Sequence, residues 1–307
     1  AARWIPVARF PFQPSEALKL ATILLLARRL PSCQSKIGRI RIVPSLNPCR
    51  WGRPAQRKIW REGTRPILLP VVLSCAVIFP AHTSSAMLVF LTSLVMMLIG
   101  RVRVSELVRL VGLACAALLL AGLLNLGRGE TGGGRVSTWI DLWTASQTEK
   151  PIDRLTDTER SMSAIHNGGL LGEGAGQSAM RVEMIHPESD YAYAFFVEEY
   201  GIVLAIALLM LYLWIFFRGI EIFRRCGTAF PGLLVLGLAL LITCQALLHI
   251  MVTVNLIPET GQTLPLISRG GSSTLFTTIA LGMILSVSRQ NDEQSHDTPR
   301  SESIYEK

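Results

Sequence analysis

The chain has 307 residues, of which 50% are hydrophobic and 17% are charged, and its mean hydropathy is positive. A single water-soluble domain does not need this composition, so the chain is predicted to lie in a membrane. The formal net charge of +8 comes from basic loops between apolar runs. This distribution is typical of membrane topology signals, and nucleic acid binding is a poor explanation for it. The six cysteines show neither a disulfide framework nor the spacing of a zinc site.

Apolar runs along the chain predict about seven membrane-spanning helices, although several runs need neighbouring Ser, Thr or aromatic residues to reach roughly 20 residues. The runs are Ala17–Leu30, Ile67–Phe79, Met87–Ile99, Leu110–Leu124, Ile202–Phe217, Leu233–Ile257 and Leu275–Val287. One helix over Ile67–Ile99 would be about 50 Å long, which is too long for one crossing, so Pro80 is predicted to lie in a turn. The predicted fold class is therefore all-α: a polytopic helical membrane protein.

Basic residues assign the two faces of the membrane. The loop 28–65 holds eleven Lys and Arg, and further basic residues lie at 101–109 and 218–225. These stretches follow alternate ends of successive spans and are predicted to be cytoplasmic. The segment 126–191 is then one large outer loop, and 289–307 is predicted to be a disordered cytoplasmic tail. Because the number of spans is odd and no signal peptide precedes them, we expect the chain to lack upstream spans.

Polar pairs stand on two of the predicted spans. Glu16 and Lys19 are three residues apart at a helix start, so they share a face and predict an ion pair. That pair is either structural or part of a charged cavity. Gln245 and His249 are four residues apart on one face, and an interhelical hydrogen bond is the favoured interpretation.

The outer loop contains the glycine-rich stretch Gly168–Gly176. A nucleotide-binding loop is excluded, because no buried strand precedes the glycines and the stretch faces away from the cytoplasm. The glycines instead predict tight turns and close backbone approach over a membrane surface.

Carboxylates cluster where the next predicted span begins. Asp190 is open to interpretation as a helix N-cap, since a negative charge is favoured in the first turn of a helix. Glu198 and Glu199 are harder to explain in this way, because a carboxylate at the membrane interface is costly unless it is paired or functional. Partial burial raises the pKa of such a group toward the range of a general base.

A polar element interrupts the last two apolar runs. It contains Pro258–Gly261 and then Leu264–Ser273, both rich in Pro, Gly and Ser. Backbone that is neither helix nor barrel is tolerated near bilayer depth only where protein or a water-filled cavity satisfies its hydrogen bonds. The element therefore predicts a working site at one membrane face.

Together these segments resemble the SEDS family, the FtsW, RodA and SpoVE proteins of bacterial cell-wall synthesis. The resemblance rests on motifs within Arg3–Lys19, Ala164–Gly176, Pro187–Gly201 and Pro258–Ser273, which follow the family's order. Arg269, where Tyr is usual, is similar to the FtsW type of Bacteroidetes-like bacteria. The resemblance implies a multi-pass protein of the bacterial inner membrane with ten spans, of which this chain would lack the first three.

The same resemblance implies a peptidoglycan glycosyltransferase that polymerises lipid II into glycan strands during septal cell-wall synthesis in cell division, with its active site at the periplasmic face. Asp190 matches the family's essential Asp and is implied as the general base. The implied substrate-binding residues are Glu16, Lys19, Glu198, Glu199, Ser268, Arg269, Gly270, Gly271, Ser272 and Ser273.

The implied partners are the lipid II substrate, a class B penicillin-binding protein, other divisome proteins and membrane lipids. No cofactor is assigned. A divalent cation is the one candidate, because it would offset the charge of the leaving pyrophosphate, but the sequence shows no metal-ligand spacing.

Two other functions stay open. A lipid II flippase would use the same substrate and topology, but it needs charge along a path through the membrane. The predicted spans are nearly free of charge beyond Glu16, Lys19 and His249, which favours the polymerase. A non-catalytic scaffold for a penicillin-binding protein is the third interpretation.

Overall fold

The fold is taken from a computed structural model, which describes residues 5–7, 10–37, 60–123, 156–178 and 190–297 and a few positions between 134 and 144. A short antiparallel hairpin of two strands, β1 (Ile5–Val7) and β2 (Phe10–Phe12), precedes the first helix. The helices are α1 (Pro14–Ser32), α2 (Gln34–Ile37), α3 (Arg65–Ile78), α4 (Thr83–Ile99), α5 (Val104–Leu123), α6 (Asp157–Gly168), α7 (Ala192–Arg225), α8 (Ala229–Thr253) and α9 (Gly271–Asp297). A π-helical turn at Trp60–Thr64 runs directly into α3.

The all-α membrane architecture predicted from the sequence is confirmed, and each of the seven predicted spans overlaps one of the long helices α1, α3, α4, α5, α7, α8 and α9. Three of the predicted spans extend past the end of their helix, to Phe79, Leu124 and Ile257. Among the residues that the structure describes, three helices, α7, α8 and α9, have both the length and the hydropathy to cross a bilayer. The predicted turn at Pro80 is also present, because α3 ends at Ile78 and α4 begins at Thr83. The hairpin before α1 was not predicted.

Helix α8 is the centre of the bundle. It packs against α1, α4, α7 and α9, and 83% of its apolar part is buried, against 17% for α7. Small residues let the helices approach closely: a Cβ on Gly237 would lie 2.7 Å from Met96 Sδ, and one on Gly219 would lie 2.6 Å from Ala239 Cβ. Close packing of small residues compensates for the weak hydrophobic drive between helices in lipid.

One end of the bundle gathers most of the irregular chain. The start of α1, the α3–α4 turn, α6, the start of α7 and the loop 254–270 meet there. Gln13 N–H donates to Ser272 Oγ at 3.1 Å, and Ser161 Oγ donates to Thr253 O at 3.0 Å. We call this the outer end, after the prediction that these segments lie outside. The basic stretches after α1, between α4 and α5 and at the end of α7 all follow the helix ends that lie away from the outer end, which is the arrangement that the charge pattern predicts.

Other predictions fall partly outside the described residues. Most of the basic loop 28–65 and most of the outer loop 126–191 lie outside them. Helix α9 continues to Asp297, so helix occupies the first part of the tail 289–307 that was predicted to be disordered. The remainder of that tail also lies outside the described residues.

Candidate functional site at the outer end

The outer end is built around a break in α7. Gly201 has φ 80° and ψ 168°, which separates Ala192–Tyr200 from the rest of the helix. Backbone in this region of φ and ψ is essentially restricted to glycine. A broken helix leaves carbonyl and N–H groups without partners inside the helix, and these groups need partners from elsewhere.

The glycine-rich stretch supplies those partners. The N–H groups of Glu173 and Gly174 donate to the carbonyls of Glu198 and Glu199, at 2.9 and 3.1 Å. In the other direction, Ile202 N–H donates to Gly169 O at 3.0 Å, which fastens the second half of α7. We call this set of contacts between 168–174 and 197–203 the glycine clasp.

The clasp explains why its positions are glycine. A Cβ on Gly168 would lie 2.2 Å from Val197 O, and one on Gly172 would lie 2.3 Å from Glu199 O. Real Cβ atoms do not approach backbone so closely. The predicted tight turns and close backbone approach are therefore confirmed, but the glycines approach the backbone of α7 rather than a membrane surface.

The two predicted carboxylates of the clasp have different surroundings. Glu198 is fully buried, and its Oε2 accepts a hydrogen bond from Ser178 Oγ. Its Oε1 has no hydrogen-bond partner among the described residues. Glu199 is half-buried. Since Glu198 lies inside the protein, its contact with a substrate stays a prediction.

Asp190 lies half-buried just before α7, where three segments converge on the buried Tyr191. The Tyr191 hydroxyl and Thr158 Oγ1 share a hydrogen bond of 3.1 Å. Burial raises the pKa of this hydroxyl, and the nearby carboxylates of Glu259, Asp157 and Asp190 raise it further. The structure thus brings Asp190 together with the last outer loop and α6. Tyr191, rather than Asp190, takes the N-cap position, so the capping interpretation of Asp190 is wrong.

His249 of α8 binds the beginning of α7. Its Nε2 accepts the backbone N–H of Tyr193 at 3.4 Å, and its Nδ1 lies 2.7 Å from Gln262 O. A carbonyl oxygen only accepts hydrogen bonds, so Nδ1 carries the proton and the imidazole is neutral with Nε2 free to accept. His249 therefore satisfies one of the N–H groups that every helix N-terminus leaves without an intrahelical partner.

The predicted ion pair of Glu16 and Lys19 is confirmed. Lys19 Nζ lies 2.6 Å from Glu16 Oε1, and the Lys19 side chain is 1% exposed. Nζ also donates to Gln245 Oε1 at 2.8 Å, while Gln245 Nε2 donates to Thr263 O at 3.0 Å. A buried ion pair persists only when further hydrogen bonds satisfy its remaining donors and acceptors. The predicted interhelical bond of Gln245 is thus confirmed, and it joins the ion pair to the last outer loop.

The α3–α4 turn supports the same loop through residues that the sequence analysis did not select. Gln262 Nε2 donates to Ser85 Oγ at 2.9 Å, and His82 Nε2 lies 3.1 Å from Gly261 O. Ser84 Oγ donates to Thr260 O at 2.9 Å. The signal that points to them is a run of polar residues, His82–Ser85, between two apolar spans. Their partners lie about 180 positions away, which local patterns do not reveal.

The serines of Ser268–Ser273 face inward. Ser268 Oγ accepts Leu264 N–H at 2.8 Å, and Ser273 Oγ shares a hydrogen bond of 2.9 Å with Thr263 Oγ1. Ser272 Oγ accepts the backbone N–H of Gln13, the residue before α1. Gly270 and Gly271 form the backbone that starts α9. Arg269 is exposed, so it is the charged side chain of this group that points away from the protein.

The arrangement combines an exposed guanidinium, a half-buried carboxylate and a buried ion pair at one end of a membrane bundle. Such a set suits binding of an anionic headgroup and removal of a proton from a hydroxyl. Among the residues that the structure describes, no group of three or more His, Cys, Asp or Glu could hold a metal ion.

Comparison with known proteins gives consistent matches. The family model FtsW/RodA/SpoVE, described as cell cycle protein, matches residues 1–293. The chain is 25% identical over 313 residues to the probable peptidoglycan glycosyltransferase FtsW of Aliivibrio salmonicida, covering 100% of this chain and 71% of that protein. It is 29% identical over 294 residues to the stage V sporulation protein E of Bacillus subtilis, covering 93% of this chain and 71% of that protein.

Solved structures share the fold. One, described as the structural coordination of polymerization and crosslinking by a peptidoglycan synthase complex, matches with a TM-score of 0.59 and 23% identity over 95% of this chain and 74% of that chain. The rod shape determining protein RodA of Thermus thermophilus matches with a TM-score of 0.54 and 22% identity, over 95% of this chain and 70% of that chain.

Proposed function

The chain belongs to the FtsW/RodA/SpoVE family, and we propose that it is a peptidoglycan glycosyltransferase of the bacterial inner membrane that polymerises lipid II into glycan strands during septal cell-wall synthesis. Relatives named as probable peptidoglycan glycosyltransferases align with nearly all of the chain. The observation that carries the proposal is the placement of Asp190, a half-buried carboxylate at the outer end beside the loop 254–270. Lipid II would present its sugars to that end if it faces the periplasm.

Asp190 is proposed as the general base. It would accept the proton of the acceptor sugar's 4-hydroxyl while that oxygen forms a bond to the anomeric carbon of the donor sugar. The bond from this carbon to the pyrophosphate oxygen breaks, and undecaprenyl pyrophosphate leaves with the electron pair, so the anomeric configuration inverts. Holding the two lipid-linked substrates in line would contribute much of the acceleration, because the reaction is otherwise bimolecular.

The remaining candidate residues divide by exposure. Arg269 is exposed and is proposed to contact the pyrophosphate, since a guanidinium pairs with phosphate oxygens through two parallel hydrogen bonds. Lys19 and Glu16 are buried beneath the loop and are proposed to act from there, through the positive potential of Lys19 and through the loop's position. Ser268 and Ser272 are proposed to shape the loop, because their hydroxyls accept backbone N–H groups.

A class B penicillin-binding protein and other divisome proteins are proposed as partners. The support is a structural neighbour whose description names a peptidoglycan synthase complex with both polymerization and crosslinking. Membrane lipids would surround the exposed apolar side chains of α5 and α7, such as Leu119 and Trp214, which are 71% and 64% exposed. The division branch rests on relatives named FtsW and on the Arg269 pattern.

The test is formation of labelled glycan strands from purified lipid II by the chain in proteoliposomes with its penicillin-binding partner. Asp190→Asn should abolish the polymer. Asp157→Asn is the matched control, because Asp157 is a second carboxylate near Tyr191 on the neighbouring helix. Equal polymer from the parent and Asp190→Asn would remove Asp190 as the base.

A parent without polymer would favour the flippase or scaffold interpretation. Transfer of fluorescent lipid II between leaflets then separates these two, because only a flippase would move the headgroup across the bilayer.

A further inference from the structure

Two side chains on one face of α8 each join another part of the site to the last outer loop. Gln245 accepts a hydrogen bond from Lys19 Nζ at 2.8 Å and donates one to Thr263 O at 3.0 Å. His249 accepts one from Tyr193 N–H at 3.4 Å and donates one to Gln262 O at 2.7 Å. Both side chains are at least nine-tenths buried.

We infer that Gln245 and His249 are positioning residues for the proposed glycosyl transfer, holding Lys19 and the start of α7, which directly follows Asp190, in fixed relation to the same loop. The inference rests on the proposed function. Each of the two residues uses one acceptor toward a segment that holds a candidate site residue, Lys19 for Gln245 and the start of α7 for His249, and one donor toward a loop carbonyl.

The geometry makes these contacts specific. The two residues are one turn apart, so their side chains leave α8 about 6 Å from each other along the axis. Their acceptors, the carbonyls of Gln262 and Thr263, belong to consecutive residues of the loop. Lys19 and the α7 start are therefore tied to adjacent peptide groups, and a rotation of α8 or a shift of the loop would move the cation and the base together.

Positioning of this kind has a kinetic consequence. A misplacement of about 1 Å costs about 100-fold in rate when two reactants have to meet in line. His249 acts on the helix start that directly follows the proposed base Asp190, so its loss should lower kcat. Gln245 acts on the buried cation, whose potential is felt by the bound pyrophosphate in the ground state as well as the transition state, so its loss should raise KM more than it lowers kcat.

Conservative substitutions separate positioning from simple packing. His249→Gln keeps one donor and one acceptor, as the neutral imidazole has, whereas His249→Leu keeps the bulk and loses both. Gln245→Glu keeps an acceptor for Lys19 but places a carboxylate against Thr263 O, which removes the donor to the loop. Cys244→Ala is the control on the neighbouring position of α8, where the side chain packs among apolar residues.

The experiment measures kcat and KM for lipid II polymerisation in the parent and these variants with the penicillin-binding partner present. We expect His249→Leu to lower kcat by about 10- to 100-fold with KM within about threefold, and His249→Gln to recover most of the loss. Gln245→Leu, which loses both the donor and the acceptor, and Gln245→Glu should both raise KM, and Cys244→Ala should match the parent. Equal losses in His249→Leu and His249→Gln, or parent-like values in all variants, would overturn the inference.

Hydrogen exchange of the purified proteins gives a readout that does not depend on activity. His249→Leu should speed exchange at the start of α7 and in 258–264, and Gln245→Glu should speed it in 258–264 alone. Unchanged exchange in both variants would overturn the inference even if activity fell. A parent that makes no polymer would overturn the proposed function and with it the catalytic meaning of the two residues, while the exchange pattern would still show whether they hold the loop.

Discussion

The glycine clasp makes a quantitative prediction about Gly201. An alanine there would place Cβ 2.3 Å from Leu170 O and 2.6 Å from Gly172 N, in backbone with φ 80°. Strain in this region of φ and ψ costs about 1–3 kcal/mol. If the clasp opens to relieve the clash, three of its hydrogen bonds, from Glu173 to Glu198, from Gly174 to Glu199 and from Ile202 to Gly169, are weakened, at about 0.5–1.5 kcal/mol each. Gly201→Ala should therefore lower the free energy of unfolding by roughly 2.5–7.5 kcal/mol.

Gly176→Ala is the control for a positive φ without a close contact. Gly176 has φ 79°, almost the value of Gly201, but a Cβ there would have nothing within 4 Å. Its cost should be about 1–2 kcal/mol, which is the usual cost of a left-handed conformation for an L residue. The difference between the two variants isolates the close contact with the clasp.

The assay is denaturant unfolding in mixed micelles, followed by intrinsic fluorescence, for the parent, Gly201→Ala, Gly176→Ala and Gly172→Ala. Gly172 lies on the opposite side of the clasp, so the double variant of Gly172 and Gly201 should lose less than the sum of the single losses, because both open the same contact. A Gly201→Ala variant no less stable than Gly176→Ala would refute the clasp as the reason for these glycines.

Three further predictions concern buried polar groups. Lys19→Met should lower stability by about 3–5 kcal/mol, because it leaves the Glu16 carboxylate buried without its cation, and adding Glu16→Gln should recover much of the loss when both are measured by denaturant unfolding. Ser178→Ala should cost about 1–3 kcal/mol in the same assay, because it removes the partner of the buried Glu198 carboxylate. The pKa of the Tyr191 hydroxyl is raised by burial, so its stabilising effect is complete below about pH 10, the ordinary value, and is lost as pH rises toward the folded-state pKa. When the pH is raised from about 9 to about 11, the Tyr191→Phe variant should therefore lose less thermal stability than the parent loses over the same range.

Hydropathy and charge predicted the seven helices well, because a bilayer requires long apolar helices whose backbone groups bond internally. The ion pair of Glu16 and Lys19 followed from its spacing, since residues three apart share a helix face. Local rules of this kind work wherever both partners lie on one helix.

Contacts between distant segments were not accessible in the same way. The glycines of the clasp predict that another stretch of backbone approaches them closely. They do not predict that this stretch is the break at Gly201 in α7. The hydrogen bond between Lys19 and Gln245 joins residues that are 226 positions apart, and the sequence is equally consistent with other partners for each of them. Asp190 was open to interpretation as a cap, because only the packed start of α7 shows that Tyr191 holds that position.

The depth of the charged groups bears on the choice between polymerase and flippase. Farther from the outer end than Lys19, buried polar contacts that the structure describes in α1, α3 and α4 involve hydroxyl groups. Examples are Thr22 with Ser74 at 2.6 Å and Thr92 with Leu88 O at 2.9 Å. These hydroxyls form hydrogen bonds with one another or with a backbone carbonyl, and they carry no charge. A pyrophosphate that crossed this part of the bundle would lose its hydration without gaining a cation, at a cost of many kcal/mol. A reaction at the outer end would require no such passage, since Asp190, Arg269 and the ion pair lie at that end of the bundle, where a lipid-linked sugar would be presented if that end faces the periplasm. This asymmetry favours the proposed polymerase.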